Sequence, residues 1–212
     1  MPEPAIYEGQ FGPFEITEKD RREVVIYRAG LAVAATSFAL GVVLLLALGP
    51  TDTVLLGLSL LFSAFWLSLG VSLRYIHIYL RVLHRALQGF WLVGGIATLA
   101  IAHLDDRPLA LTVYQQPLFI LGVGFTFAAL TGIFFKEAFC FDRLETKLLT
   151  PLVPLLLLGH LSHLLPVGVE RGLLGAWALL FAVFALRKAV QAIPPDIGDK
   201  SVFDYLAQQR AG

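Results

Sequence analysis

Six apolar runs, each close to the length that crosses a bilayer, constrain this chain more than any other feature. They cover residues 26–48, 54–73, 90–104, 117–135, 148–165 and 172–186. A helix rises about 1.5 Å per residue, so roughly 20 residues match the ~30 Å hydrocarbon core. In lipid every backbone amide needs an internal partner, and runs of this kind satisfy that need as helices. The reading is all-α: a polytopic membrane protein, a bundle of about six transmembrane helices. Composition agrees. Of 212 residues, 57% are hydrophobic and 15% charged, whereas an ordinary soluble domain is roughly 45–50% apolar and about 25% charged. Zero net charge gives no overall pull toward nucleic acid, so no nucleic-acid partner is expected. Cys140 is the only cysteine, which excludes an intrachain disulfide and a thiolate metal cluster. Residues 1–25 are too polar for a signal peptide's apolar region, so insertion is expected to use the first span.

Three regions follow: a polar tail and helix start over 1–25, a transmembrane domain over 26–188, and a cytoplasmic tail over 189–212. Thr17 with Asp20 resembles a capping box at the first helix. Gly49-Pro50 ends that helix in a tight turn. No breaker appears between Leu73 and Gly89, so the second helix is read as continuing past the membrane. Arg74, His77, Arg81, His84 and Arg85 then share one face of it. The third span is expected to be short or tilted, with Gly94-Gly95 inside it. Gly124, Ala128 and Gly132 lie four apart on the fourth span, a small-residue seam for close helix packing. Gly168, Gly172 and Ala176 suggest a second seam. In the last tail, Ser201 and Asp204 mark the start of a short amphipathic helix carrying Val202, Phe203 and Leu206.

Charge gives the orientation. With six spans, fourteen of the sixteen Lys and Arg residues fall on the side holding both tails and the loops after spans two and four. Arg107 and Arg171 alone fall opposite. Positive residues stay inside during insertion, so both termini are expected to be cytoplasmic.

The candidate sites are few. His160 and His163 are three apart in the fifth apolar run, His103 ends the third on the same side, and Asp105, Asp106 and Glu170 lie at that level. Imidazoles there are candidate ligands for haem, chlorophyll or a metal ion; hydrogen bonding between helices is the plainer role. The basic stripe Arg74–His77–Arg81–His84–Arg85 is a candidate surface for anionic lipid or a protein partner. It is also the pattern that the positive-inside bias writes on any helix end. Lys136 and Glu137 suit an interfacial ion pair. Cys140 between Phe139 and Phe141 suits interfacial packing. No G-x-S-x-G, P-loop, H-E-x-x-H or dinucleotide motif occurs. Charges are missing from the middles of the spans, which weighs against proton-coupled transport.

Two strings carry a resemblance: FEITEKDRREVVIYR at 14–28 and FKEAFCFDRLE at 135–145. They resemble an uncharacterised family of integral membrane proteins of cyanobacteria and plastids, a domain of unknown function. The resemblance implies a plasma or thylakoid membrane setting, near photosynthetic pigment–protein complexes by association. The resulting expectation is a non-enzymatic membrane accessory or assembly factor, with the bilayer and other membrane proteins as partners. A small-solute or ion carrier is the alternative. The two differ in one respect: a carrier needs a polar cavity reaching the midplane.

Overall fold

Thr17 opens the first long helix as its residue type dictates. Its hydroxyl accepts from the Asp20 amide, and the Asp20 carboxylate accepts from the Thr17 amide at 2.8 Å. This satisfies two of the amides that a helix start leaves unpaired. In the computed structural model, which describes residues 6–202 and Tyr205, the helices in order are α1 (Glu18–Leu48), α2 (Asp52–Tyr75), α3 (Arg81–Leu104), α4 (Leu109–Gln115), α5 (Ile120–Phe141), α6 (Leu144–Leu161), α7 (Val167–Val190) and α8 (Pro194–Ile197). A 3-10 turn, Pro117–Phe119, leads into α5. Six of these are long and apolar enough to cross a membrane: α1, α2, α3, α5, α6 and α7. Helix α1 packs on α2 and α7, α5 packs on α3 and α6, and α6 packs on α7. Tyr27, Phe65, Phe134, Trp177, Phe181 and Phe184 fill the centre. Large apolar side chains such as Leu56, Leu60, Leu99, Leu121, Leu155 and Leu179 stand on the outside, as a lipid-facing exterior requires.

The chain departs from the sequence reading at the second helix. It ends at Tyr75, and residues 76–80 form a connection before Arg81. Ile76 is extended and buried there. The freed carbonyl of Leu73 is met by two side chains of α3, His84 Nε2 at 2.6 Å and Gln88 Nε2 at 3.1 Å. Tertiary partners thus make a turn that no Gly or Pro signals. The five-residue basic face does not exist as one helix face: Arg74 ends α2, His77 lies in the connection, and Arg81, His84 and Arg85 begin α3. Arg74, Arg81 and Arg85 are exposed, while His77 and His84 turn partly inward. Because α3 starts at Arg81, the third span is full length, not short.

The small-residue seams are also placed differently. Ala128 is exposed. A Cβ on Gly124 would meet only its own helix, at Ile120, and Gly132 alone of the three closes on another helix, against Leu87 of α3. The tight α3–α5 contact lies at Gly94, where a Cβ would come within 2.4 Å of the Thr126 amide nitrogen, and at Gly122 against Ala97. Gly168 and Gly172 have open space around them. Four-residue spacing finds a helix face but not its direction, since that depends on the neighbours.

Helices α2 and α3 are joined by a reciprocal pair. The indoles of Trp66 and Trp91 stack at 4.3 Å and 11°. Trp66 Nε1 donates to the Trp91 carbonyl at 3.1 Å, and Trp91 Nε1 to the Trp66 carbonyl at 2.8 Å. Gly95 and Gly70, each four residues on, make room for the partner's indole.

At the end of the bundle where α1 starts, the N-terminal segment is a hairpin, β1 (Ile6–Gly9) with β2 (Gly12–Glu15), antiparallel with Gly9 opposite Gly12. A two-stranded ribbon is marginal alone, and here the C-terminal segment holds it. Ile16, Val24 and Ile197 form a small core with Tyr7, Phe14 and Ile193 around it. Asp199 accepts from the Gln10 amide at 2.7 Å and Ser201 from the Phe11 amide at 3.1 Å. The hydrogen bonds from Ser201 and Gln10 hold the Asp199 carboxyl below its ordinary pKa. Of the amphipathic helix expected from Ser201, Phe203, Asp204 and Leu206 lie outside the described residues. We call this the tail end, and the opposite one the far end.

His77 is expected to make the tail end sensitive to acid. Burial holds its imidazole below its ordinary pKa, with Glu23 (Nε2 to Oε2 3.5 Å) and Asp20 opposing that and Lys136 reinforcing it. A histidine with a lowered folded pKa contributes stability that is complete above its unfolded value of about 6.5 and is lost as pH falls through the folded value. The thermal midpoint in detergent is expected to drop more between about pH 7.5 and 5.5 for the parent than for His77→Gln. Equal drops would show that His77 does not set this sensitivity.

Candidate functional site

Two features could carry function, one at each end. The far end holds a cavity of about 710 Å³ among α1, α2, α4, α5, α6 and α7. Its wall on α1 runs from Ser37 to Gly49, about 18 Å of helix at ~1.5 Å per residue. The lining is mostly Leu, Val and Phe, including Leu45, Leu58, Leu61, Val123 and Leu157. Phe38, Phe65 and Phe127 also line it; Phe38 and Phe127 rest on the buried Trp177, with centroids at 4.5 and 5.2 Å. Trp177 Nε1 has no hydrogen-bond partner among the described residues. Polar groups gather at the mouth: Tyr114 and Gln115 of α4, His160 of α6, and Glu170 and Arg171 of α7.

The mouth is fixed by how α6 ends. Instead of running to Leu165, the helix stops at Leu161. The His163 amide donates to the His160 carbonyl and the Leu164 amide to the Gly159 carbonyl, both at 3.0 Å. This is a Schellman termination, with His163 as the left-handed residue at φ 56°. His160 and His163 are therefore not on one helix face. They do line one small recess beside the cavity, with Tyr114, Gln115 and Glu170.

His160 is held at both nitrogens. Nδ1 lies 2.6 Å from Glu170 Oε1, and Nε2 donates to the Tyr114 carbonyl at 3.1 Å. The Tyr114 ring stacks on the imidazole at 4.8 Å, and its hydroxyl donates to Glu170 Oε2 at 3.5 Å. Burial and the Glu170 charge push the Tyr114 phenol above its ordinary pKa. His103 is apart from this group; its Nδ1 donates to the Leu99 carbonyl of its own helix at 2.8 Å. Nearby, Arg107 grips Asp105 and reaches Gln115 Oε1 at 2.6 Å. That guanidinium holds the Asp105 carboxyl well below the ordinary carboxylate range.

At the tail end charges are buried together. The Lys188 ammonium is fully buried between Glu137, at 2.5 Å, and Asp196. Lys136 Nζ and the Tyr27 hydroxyl donate to Glu137 at 2.9 and 3.3 Å. Arg28 grips Asp196 at 2.6 and 2.8 Å and donates to the Gln191 and Ala192 carbonyls. Adjacency in sequence marks Lys136 and Glu137 as an interfacial pair, but the convergence of residues 28, 137, 188 and 196 needs four helices, α1, α5, α7 and α8. Among the described residues one group of three ligating side chains is close enough to hold a metal ion: Asp20, Glu23 and His77. Lys200 already neutralises Asp20 there, at 2.8 Å. His103, His160 and His163 form no such group.

Six apolar helices and a lipid-facing exterior define a polytopic helical protein of the membrane. Residues 71–205 match the family described as uncharacterized integral membrane protein (DUF2301), and the chain belongs to it. Neither curated proteins nor solved structures give a match.

Proposed function

We propose that the protein is a membrane accessory factor that holds a lipophilic molecule in the far-end cavity. The cavity itself carries this reading: about 710 Å³ of mostly apolar wall, with the charged groups gathered at one mouth and Ser37 and Ser59 in the wall. Small-molecule sites are typically ~300–1,000 Å³, apolar, with a few placed polar groups. A solute or ion carrier is supported less, because this cavity is apolar where a polar path to the midplane is needed, and the buried charges cluster at the tail end. A haem or chlorophyll ligated by His160 is also supported less. A carbonyl only accepts, so His160 Nε2 must donate to Tyr114, and Nδ1 is engaged by Glu170; neither nitrogen is left for a metal.

Protein purified from its native membrane in mild detergent is expected to carry a lipophilic molecule, read by extraction and mass spectrometry. Leu61→Trp, which fills the cavity, is expected to weaken that occupancy by about tenfold or more. A lipid-free parent, or unchanged occupancy in Leu61→Trp, would defeat the reading. Orientation is part of the proposal, with the tail end cytoplasmic on the strength of the charge bias. A reporter after Gly212 is expected to report cytoplasm and one at Asp106 the opposite side; the reverse would move the cavity mouth to the cytoplasm.

A further inference from the structure

The groups at the mouth are unequal in what they have left to offer. His160 uses both nitrogens, Glu170 Oε1 lies against its Nδ1, and Oε2 accepts from the Tyr114 hydroxyl. Gln115 Oε1 accepts from Arg107, and Arg107 is itself paired with Asp105. What remains is donors. Arg171 lines the cavity, is exposed, and makes no ion pair or hydrogen bond among the described residues. Among the described residues it and Arg107 are the only Lys or Arg at this end, and Arg107 is already matched. An unpaired guanidinium beside an apolar cavity is suited to an oxyanion, which it can meet with two parallel N–H groups.

We propose that the cavity takes a single-chain amphiphile with an oxyanion head, the head on Arg171 and the chain running inward toward Phe38 and Phe127. This rests on the lipophile-binding reading above. The wall on α1, about 18 Å long at ~1.5 Å per residue, suits one extended chain. Glu170 does not oppose the head as a bare charge would, because His160 and the Tyr114 hydroxyl face its two oxygens.

The test uses full-length protein in neutral detergent micelles and displacement of a fluorescent fatty acid. Palmitate, hexadecyl phosphate and hexadecanol share one chain and differ in the head. Palmitate or the phosphate is expected to bind about tenfold or more tighter than the alcohol, the scale of a charge-assisted hydrogen bond. The tighter of the two identifies a carboxylate or phosphate source. Arg171→Gln, at an exposed site, is expected to bring that anion down to the alcohol's level and leave the alcohol unchanged. Equal binding of all three, or an anion preference that survives Arg171→Gln, overturns the head assignment and leaves the cavity reading standing. If none displaces the probe, and Leu61→Trp retains it, the cavity reading falls as well.

Discussion

Lys188→Met is expected to destabilise the protein by about 3–5 kcal/mol, the range for breaking one member of a buried charge group. The methionine keeps the length and apolar volume of the lysine stem, so the variant isolates the ammonium. Without it, Glu137 and Asp196 share a dry site with only Lys136 and Arg28 at its edges. Lys188 also lies 4.1 Å over the Phe141 ring, a contact that favours a desolvated cation. The loss is expected in the thermal midpoint in detergent and in faster proteolysis between Gln191 and Ser201, since Asp196 ties that segment to the bundle. Glu137→Gln with Lys188→Met is expected to recover part of the loss, because one stranded carboxylate is gone. A change within about 0.5 kcal/mol would show water, not Lys188, neutralising the acids.

The second large effect separates two small-residue positions, Gly94 and Ala128, that sequence alone ranks wrongly. Gly94→Leu is expected to cost about 1–3 kcal/mol or to abolish folding, as overpacking does where backbones touch. Its Cβ would press on the Thr126 amide and Cα, which are backbone atoms and cannot rotate away. Ala128→Leu is expected to fall within about 0.5 kcal/mol of the parent, as surface changes usually do, because Ala128 faces outward. Thermal stability of the two variants side by side is the check. A larger loss at Ala128 would reveal a partner surface over that face of α5.

What the sequence made legible was the part governed by local chemistry. Apolar run length gave six spans, Thr17 with Asp20 gave the start of α1, and Gly49-Pro50 gave its end. The turn after Tyr75 was not legible, because Leu73's carbonyl is satisfied by His84 and Gln88 from the next helix and no Gly or Pro marks the break. The hairpin over residues 6–15 reads as tail for the same reason: its partners, Asp199 and Ser201, are 189 and 190 residues away in sequence. His160 with Glu170 was half visible, as both were placed at one level. Their contact goes with α6 ending early, at Leu161, and the leucine-rich turns before it give no hint of that. Arg171 gave no signal at all beyond being one of two basic residues on its side.

The tryptophans make these regions separately observable. The protein has three. Trp66 and Trp91 are held face to face with their ring N–H groups locked, so their electronic transitions are expected to couple and give a two-signed circular dichroism band in the ultraviolet. Its sign and size depend on the register of α2 against α3, since a one-residue slide would break both hydrogen bonds together. Trp177 stands apart from that pair, packed on two of the phenylalanines that line the cavity. If the cavity fills as proposed, its emission is expected to change while the coupled band follows the helix pair, so ligand entry and helix movement would be told apart in the unlabelled protein.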